Sequence, residues 1–568
     1  RKANTNFKKV EKSVKYKSHV PFNIAQIYFA EGDYRKVIEY GEPKLNQKTI
    51  RNRKNICQLV GCAYFELENY EKALPLLEIY ERESQKLPQE DFYRLGYVYY
   101  ETGNYEAAAD KFGELNNEKS KLGQYAQFYS GISYLKLKNK RKAHIAFGKA
   151  KDLNFDEEIA REANFNFGKL SYELGRNREA LSVLQNIEKG SPYFNESQNI
   201  MSDIFLKDKN YGNSIAIMDN MSGLSPQLKE TYQKISYLYG LQLFKEGKFE
   251  EAHKRLSKAQ KDAVSQKTKA ESLFWLAQLE YQFSNTDAAI RNLNSYFAMG
   301  NVLKQLDESA SVYNANYSMG YNYLKKSDYD MAKKYFEKAV KSIENNRSFI
   351  KSEYIKNEIL GDSYIRTADC YFKTGSYSNA NKYYNKAINK NTRDFVYAIY
   401  QKAQIQGLLG NKTEKILLLE EVFTKYPKSQ YADDAMFVLA ETYLEMNNKQ
   451  KALNVLEELV ENYGTKSEWI KSTYLKMGLI AFNQGNMNNS AEYYKAVFRL
   501  NPSQEETMIA KDALREIYID NLGDATAYNS FIKSIPGMDI DNNLEEENYY
   551  AVAKAKYDVG EWASAIEK

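Results

Sequence analysis

Residues Tyr93 to Phe112, YRLGYVYYETGNYEAAADKF, carry the pattern that decides the fold of this 568-residue chain. A Gly-Asn-Tyr turn that begins at Gly103 separates two stretches in which small and apolar residues recur every three or four positions. That spacing places them on one face of an α-helix. Gly96 lies seven residues before the turn and Ala108 lies five residues after it. Because two helices cross closely only where small side chains meet, the stretch predicts a tightly packed helix pair.

The same pattern recurs along the whole chain. Copies of the turn are separated by 34 to 38 residues, apart from two longer intervals of 43 and 48 residues. They begin at Gly32, Glu68, Gly103, Lys138, Gly175, Lys209, Gly247, Ser284, Ser327, Gly375, Gly410, Asn447, Gly485, Gly523 and Gly560. Length alone suggests three or four globular domains, but such a regular period predicts one continuous array of repeats.

Small residues at fixed distances from each turn form a predicted packing seam. On the first helices the seam consists of Gly61, Gly96, Gly131, Gly168, Gly240, Gly320 and Gly478, and on the second helices of Ala73, Ala108, Ala143, Ala180, Ala252 and Ala452. Larger apolar residues follow four positions after the alanine, as Phe112 follows Ala108. The copy at Gly523 has Glu516 at the seam position, which predicts a degenerate repeat.

This register resembles the tetratricopeptide repeat, and the resemblance covers roughly residues 21 to 568. It implies an all-α fold, a right-handed superhelical solenoid of about 14 to 15 tandem helix-turn-helix repeats. The resemblance also implies a protein-binding scaffold, in which the first helix of each repeat lines a concave surface.

Changes in repeat length and composition predict the domain organisation. Residues 1–20 are basic and are expected to form a leader helix, followed by a first array at 21–300. Longer repeats near 300–375 begin a second array at 301–536, and residues 537–568 start a further repeat. Because a solenoid needs a polar terminal cap, the sequence predicts that the chain is a fragment of a longer protein.

The residue types needed for catalysis or metal binding are sparse. The three histidines and the three cysteines belong mostly to different repeats, and solenoid geometry keeps distant repeats apart. No phosphate-binding loop or nucleophile elbow follows a strand. We therefore expect a protein that is not an enzyme and that binds neither a cofactor nor a metal.

Aromatic residues recur on the first helices, mainly ten and three positions before the turn. The residues predicted to line a peptide-binding groove are Phe22, Tyr93, Tyr97, Tyr100, Phe128, Phe165, Tyr172, Tyr237, Phe274, Tyr317, Tyr400 and Phe437. A groove of this composition suits an extended or helical peptide. The alternative is that these rings serve packing within the array, as such rings often do in tetratricopeptide repeats.

Charge and hydropathy bear on whether the protein binds membranes or nucleic acids. The net charge is +5, and lysines concentrate in the first twenty residues and again between Lys136 and Lys142. Basic faces of this kind allow peripheral membrane association or RNA binding as a weak alternative, although no nucleic-acid partner is expected. No run approaches the 18 apolar residues that a membrane-spanning helix needs.

The stretch from Leu417 to Tyr518 carries a narrower resemblance, centred on YPKSQYADDA at Tyr426–Ala435 and LAETY at Leu439–Tyr443. It is similar to repeats of bacterial outer-membrane assembly lipoproteins and of the Tol-Pal-associated periplasmic coordinator. The resemblance implies a scaffold that binds envelope or outer-membrane proteins and lies in the periplasm or at the outer membrane. The alternative is a cytoplasmic regulatory or peptide-sensing repeat protein.

Overall fold

The computed structural model describes residues 2–221, 223–261 and 264–567, and these residues form helices and connecting turns without a β-strand. The predicted all-α class is confirmed. The chain forms two compact units, unit 1 (Arg1–Ser272) and unit 2 (Leu273–Lys568). The division of the repeats into arrays near residue 300 stays a prediction.

Unit 1 is a succession of helices joined by short turns. Its helices are α1 (Lys2–Val10), α2 (Val20–Ala30), α3 (Tyr34–Leu45), α4 (Arg53–Glu66), α5 (Tyr70–Glu83), α6 (Gln89–Glu101), α7 (Tyr105–Gly113), α8 (Lys121–Lys136), α9 (Lys140–Leu153), α10 (Glu157–Glu173), α11 (Asn177–Leu184), α12 (Phe194–Lys207), α13 (Tyr211–Asp219), α14 (Pro226–Lys245), α15 (Phe249–Lys261) and the start of α16 (Gln266–Gln282). The leader predicted over residues 1–20 contains α1, and turns connect α1 to α2.

Unit 2 continues from α16 with the same alternation. Its helices are α17 (Thr286–Phe297), α18 (Val312–Lys325), α19 (Tyr329–Asn346), α20 (Leu360–Lys373), α21 (Tyr377–Asn389), α22 (Phe395–Leu408), α23 (Lys412–Lys425), α24 (Ala432–Glu445), α25 (Lys449–Tyr463), α26 (Ile470–Asn483), α27 (Met487–Phe498), α28 (Gln504–Arg515), α29 (Ala525–Lys533), α30 (Asn542–Asp558) and α31 (Trp562–Glu567). The two long intervals contain 3₁₀ segments at Gly300–Gln305 and Glu308–Ala310, the long helix α19, and a π-helical turn at Ile355–Ile359.

The predicted turns share one backbone conformation. The first residue of each turn has a positive φ, for example 81° at Gly103, with the exception of Lys209. Glycine suits this left-handed conformation because it lacks a Cβ. The next residue commonly caps the second helix, as Asn104 does by accepting a hydrogen bond from the Ala107 amide over 3.3 Å. The turn therefore ends one helix and starts the next.

The seam glycines make room for one large side chain each. A Cβ placed on Gly96 would lie 2.8 Å from Cε1 of Phe112, which is fully buried. The same contact, always with the residue sixteen positions later, recurs in the pairs Gly61–Leu77, Gly131–Phe147, Gly168–Leu184, Gly240–Leu256, Gly320–Phe336 and Gly478–Tyr494. The seam alanines Ala73, Ala108, Ala143, Ala180, Ala252 and Ala452 are fully buried beside these contacts.

The repeat at Gly523, which has Glu516 at the seam position, changes its helical geometry there. Helix α28 ends at Arg515, and Glu516–Asn521 continue as a π-helix. The wider turn changes the rotation per residue, and Glu516 lies exposed at the surface rather than in the seam. The structure thus accommodates a charged residue where the other repeats place a small one.

We predict that Gly96→Ala destabilises unit 1 by about 1–3 kcal/mol, because the added methyl group would overlap the Phe112 ring. The matched control is Gly113→Ala at the end of α7, where the new Cβ would come no closer than 3.8 Å to Asn116. There alanine is expected to be neutral or stabilising, because it favours helix more than glycine does. Urea unfolding followed by circular dichroism compares the two variants, and equal destabilisation would contradict the seam.

We further predict that the damage caused by Gly96→Leu stays local, because each repeat contacts only its neighbours. Hydrogen exchange should accelerate in α4 to α9, while the helices of unit 2 keep their protection. Mass spectrometry of peptic fragments measures both regions in one experiment. A uniform loss of protection along the chain would show that the array unfolds as a single cooperative unit.

Candidate functional site

A row of first helices forms one face of unit 1. Each even-numbered helix from α2 to α12 packs against the next even-numbered helix, in addition to its contacts with the odd-numbered helices beside it. Side chains that project from this row come from different repeats and can meet. Side chains from several repeats can therefore form a common surface on this row.

A group of aromatic rings on this row forms what we call the tyrosine cluster. It consists of Phe65, Tyr70, Tyr93, Tyr97, Tyr100, Tyr105 and Tyr129, contributed by α4 to α8. The ring centroid of Tyr97 lies 4.9 Å from that of Tyr129, 5.8 Å from that of Phe65 and 5.7 Å from that of Tyr70. Tyr97 also lies 6.1 Å from Tyr93 and 6.0 Å from Tyr100. Three consecutive repeats thus share one continuous set of ring contacts.

Part of this cluster belongs to the ordinary packing of a repeat. The ring three positions before the turn packs on the ring two positions after it, at 5.9 Å for Tyr100 and Tyr105. Equivalent pairs lie elsewhere in the chain, at Phe29–Tyr34, Phe65–Tyr70, Phe244–Phe249 and Phe372–Tyr377. Tyr97 and Tyr129 make contacts of a different kind, because their rings meet edge to face across neighbouring repeats at an interplanar angle of 87°.

The rings of the tyrosine cluster are only partly buried. Burial raises the pKa of Tyr93, Tyr97 and Tyr129 above that of a free tyrosine, and the carboxylate of Glu101 adds to the shift at Tyr97 and Tyr129. Glu162 raises the pKa of Tyr129 further. The surface therefore combines apolar ring faces, hydroxyl donors and two nearby carboxylates.

The structure brings together three of the residues predicted to line a groove, and a fourth, Phe128, contacts the cluster through Tyr129 at a ring-centroid distance of 5.5 Å. Tyr93, Tyr97 and Tyr100 belong to the tyrosine cluster. Five others are buried, with at most 4% of their surface exposed: Phe128, Phe165, Tyr237, Phe274 and Phe437. Their rings pack inside the repeats, as Phe165 does by stacking on Tyr193 at 4.6 Å and Phe437 on Trp469 at 4.4 Å. These five rings therefore have the surroundings that the alternative, packing within the array, predicts.

Tyr317 belongs to a polar network in unit 2. The carboxylate of Asp362 accepts hydrogen bonds from the hydroxyls of Tyr317 and Tyr321 over 2.9 and 2.5 Å. Arg366 lies between Asp362 and Asp369, at 3.2 and 2.8 Å from their carboxylate oxygens. Burial raises the pKa of Asp369, which also accepts hydrogen bonds from two further tyrosines. The network ties α18, α20, α21 and α22 together.

The last three predicted groove residues each have different surroundings. Phe22 is partly buried against the core of the first repeats. The hydroxyl of Tyr172 accepts a hydrogen bond from Lys207 Nζ over 3.0 Å. Tyr400 stacks on Tyr431 at a centroid distance of 5.9 Å. None of these three contacts the tyrosine cluster within the described residues.

Sequence reasoning missed Tyr129, which lies at the centre of the tyrosine cluster. A signal was available, because Tyr129 directly follows the buried Phe128 and adjacent residues of a helix project in different directions. Tyr70 and Tyr105 were recognised only as turn residues. Their part in the cluster follows from the ring-to-ring contact across the turn.

Residues with reactive side chains lie in separate surroundings. His144 is buried and contacts the Ser171 hydroxyl at 2.9 Å, and burial lowers its pKa. The three cysteines are buried and unpaired. Across residues 2–221, 223–261 and 264–567 no group of three or more His, Cys, Asp or Glu side chains is arranged to hold a metal ion. Within the same residues, no helix combines the length and apolar character that crossing a bilayer requires.

Comparison with known structures returns helical repeat proteins at low identity. The C-terminal part of a TPR repeat-containing protein from Cytophaga hutchinsonii is 17% identical, with a TM-score of 0.37, over 48% of this chain and 98% of that one. A tetratricopeptide repeat protein from Parabacteroides merdae is 15% identical, with a TM-score of 0.31, over 50% and 98%. Yeast Tom70 is 14% identical, with a TM-score of 0.28, over 91% and 99%. No curated protein sequence matches the chain.

Sequence models of the tetratricopeptide repeat match both units. In unit 1 the match covers residues 61–115. In unit 2 the matches cover residues 313–346, 361–389 and 472–504, together with 397–429 and 434–465. These ranges coincide with the helix pairs whose turns and seams are described above, and so the chain is a tetratricopeptide-repeat protein.

Proposed function

We propose that this chain is a non-catalytic scaffold that binds a segment of another protein on the tyrosine cluster of unit 1. Tetratricopeptide repeats support protein–protein interaction in general. The observation that carries the more specific proposal is the set of contacts around Tyr97, where rings from three repeats meet and remain partly exposed. Such rings bury a large area at a small cost in side-chain entropy.

The chemistry around the cluster indicates what kind of segment it suits. The ring faces attract apolar side chains, and they also attract the ammonium of lysine or the guanidinium of arginine. Glu101 and Glu162 lie close enough to Tyr129 to influence its pKa, so the surroundings of the rings are negative. We infer that the preferred segment combines an apolar or aromatic anchor with a basic residue.

We also propose that the scaffold works in the bacterial cell envelope, in the periplasm or at the outer membrane, with envelope proteins as its partners. The stretch from Leu417 to Tyr518 supports this, because it resembles repeats of envelope assembly proteins. In the structure, α24 begins at Ala432 directly after the YPKSQY stretch, and Trp469 Nε1 donates a hydrogen bond to Asp434 over 2.6 Å. Asp434 in the first turn of α24 thus has a packing role, and the proposal of location rests on the resemblance.

We expect Tyr97→Ala combined with Tyr129→Ala to weaken peptide binding by about 2–4 kcal/mol, because buried aromatic anchors dominate interface energy. The probe is a peptide selected from a random phage-displayed library on the wild-type chain, and its affinity is measured by calorimetry. The matched control is Tyr323→Ala with Tyr335→Ala, a partly buried tyrosine pair in unit 2 whose centroids are 5.6 Å apart. The control should keep wild-type affinity.

Different outcomes of that experiment distinguish the alternatives. If the Tyr97/Tyr129 variant loses helical content, its rings serve packing and the proposal fails. If the variant folds and binds the peptide like the wild type, the binding surface lies elsewhere. If only the replacement of Lys138, Lys140 and Arg141 removes binding, with a steep dependence on salt, the basic surface is the binding site.

The location has a test of its own. We expect the protein expressed from its full-length gene to appear in the periplasmic or outer-membrane fraction of bacterial cells, detected with an antibody raised against this chain. A cytoplasmic marker enzyme controls for leakage during fractionation. Recovery of the protein with that marker alone would favour the cytoplasmic alternative.

A further inference from the structure

Unit 2 contains a cavity of about 300 Å³ that plays no part in the proposed function. It lies between the end of α19, the π-helical turn Ile355–Ile359 and the turn that joins α21 to α22. Its lining includes the basic residues Arg347, Lys356, Lys390 and Arg393. Among the described lining residues Glu358 is the one carboxylate, so the cavity carries an excess of positive charge.

The shape of the cavity depends on the π-helical turn and on one glycine. A π-helical turn is wider than an α-helical turn and commonly marks a functional position. At the start of α20, a Cβ on Gly361 would lie 2.8 Å from the side chain of Thr392. The two walls therefore touch at this point, and a residue larger than glycine would push them apart.

Two of the cations are not neutralised by ion pairs. Glu344, the nearest carboxylate of α19, accepts hydrogen bonds from Lys386 over 2.9 Å and from the Tyr364 hydroxyl over 2.7 Å. Lys390 exerts only a longer-range attraction on Glu344. Within the described part of the chain, neither Lys390 nor Arg393 has a carboxylate within ion-pair distance. Both side chains are exposed and available to an anion.

The remaining basic residues are held in place. The Arg347 guanidinium donates hydrogen bonds to the carbonyl oxygen of Lys356 over 2.8 Å and to Asn357 Oδ1 over 3.5 Å. Lys356 forms an ion pair with Glu353. These contacts fix the position of positive charge along the π-helical wall, so little ordering is needed when an anion binds.

A buried hydroxyl in the wall lacks a partner. Thr392 Oγ1 is buried and forms no hydrogen bond with the described residues. A buried polar atom without a partner costs free energy. Thr392 is one of the lining residues of the cavity, with Lys390 and Arg393 of the same turn, but its hydroxyl oxygen lies behind the wall.

We propose that this cavity binds a phosphoryl group. Its two unpaired cations and two fixed cations suit the three oxygens and double negative charge of a phosphate better than the single charge of a carboxylate. Two exposed aromatic residues lie close in sequence to the π-helical turn, Phe349 with 80% and Tyr354 with 64% of its surface exposed. The phosphoryl group can belong to a free phosphate compound or to a phosphorylated side chain.

Calorimetry on the whole chain tests this inference with two probes, inorganic phosphate and O-phosphotyrosine, and with tyrosine as the phosphate-free counterpart. Lys390→Ala combined with Arg393→Ala should weaken the binding of both phosphate probes by about tenfold or more, because charge-assisted hydrogen bonds are lost. The matched control, Lys136→Ala with Arg141→Ala, removes the same charge from exposed positions of unit 1 and should change affinity by less than about twofold.

A third variant separates binding from folding. Thr392→Val removes a hydroxyl behind the cavity wall and leaves the charge of the cavity unchanged, so phosphate affinity should change by less than about twofold while thermal stability stays equal or rises. Equal affinities for the two phosphate probes would identify free phosphate as the ligand, and tighter binding of O-phosphotyrosine would identify a phosphorylated side chain. Absence of binding heat from both probes at millimolar concentration, or equal losses in the test and control variants, would overturn the inference. None of these outcomes depends on the tyrosine cluster.

Discussion

The close contact between a small seam residue, which is glycine in seven repeats, and the large side chain sixteen residues later is the constraint on which the packing of these helix pairs depends. In the pair Gly96–Phe112 the missing Cβ leaves the space that the phenyl ring occupies. Full burial of such a ring contributes about 1.5–3 kcal/mol, and the contact recurs along both units. Because it also sets how closely the two helices approach, it determines which other positions of the first helix face the core and which face outward.

This constraint explains why the fold could be predicted and most of the groove could not. Glycine, turn and alanine lie within one repeat, so their spacing in the sequence translates directly into contacts. The tyrosine cluster depends instead on the rotation between repeats, since Tyr97 and Tyr129 lie on different first helices. At the position ten residues before the turn, Phe165 is only 4% exposed and packs in the core, whereas Tyr93 lies partly exposed in the tyrosine cluster. The repeat pattern contains no information on this angle.

The hydroxyl groups explain why the chain prefers tyrosine to phenylalanine. Many of its 49 tyrosines place the ring between helices and donate a hydrogen bond to a carboxylate at the edge. Examples are Tyr64 to Glu42 over 2.9 Å, Tyr99 to Glu78 over 2.9 Å and Tyr364 to Glu344 over 2.7 Å. Each pair links the packing of a repeat to a polar contact that fixes the ring. In the tyrosine cluster, Tyr97 interacts with a second tyrosine, Tyr129, as well as with the carboxylate of Glu101.

The basic cavity and the tyrosine cluster lie in different repeats and arise from the repeat pattern in opposite ways. The cluster lies where the intervals are regular, so its properties come from the choice of residues at outward positions of ordinary helices. One wall of the cavity lies within the 48-residue interval that ends at Gly375, where the extra residues lengthen α19 and form the π-helical turn. In a strictly periodic array each helix pair fills the space beside the next, and an insertion that leaves the seam contact Gly320–Phe336 intact must change the connection instead. In this chain the irregular interval thus supplies the π-helical wall of the cavity, whereas the tyrosine cluster needs only the regular helix pairs.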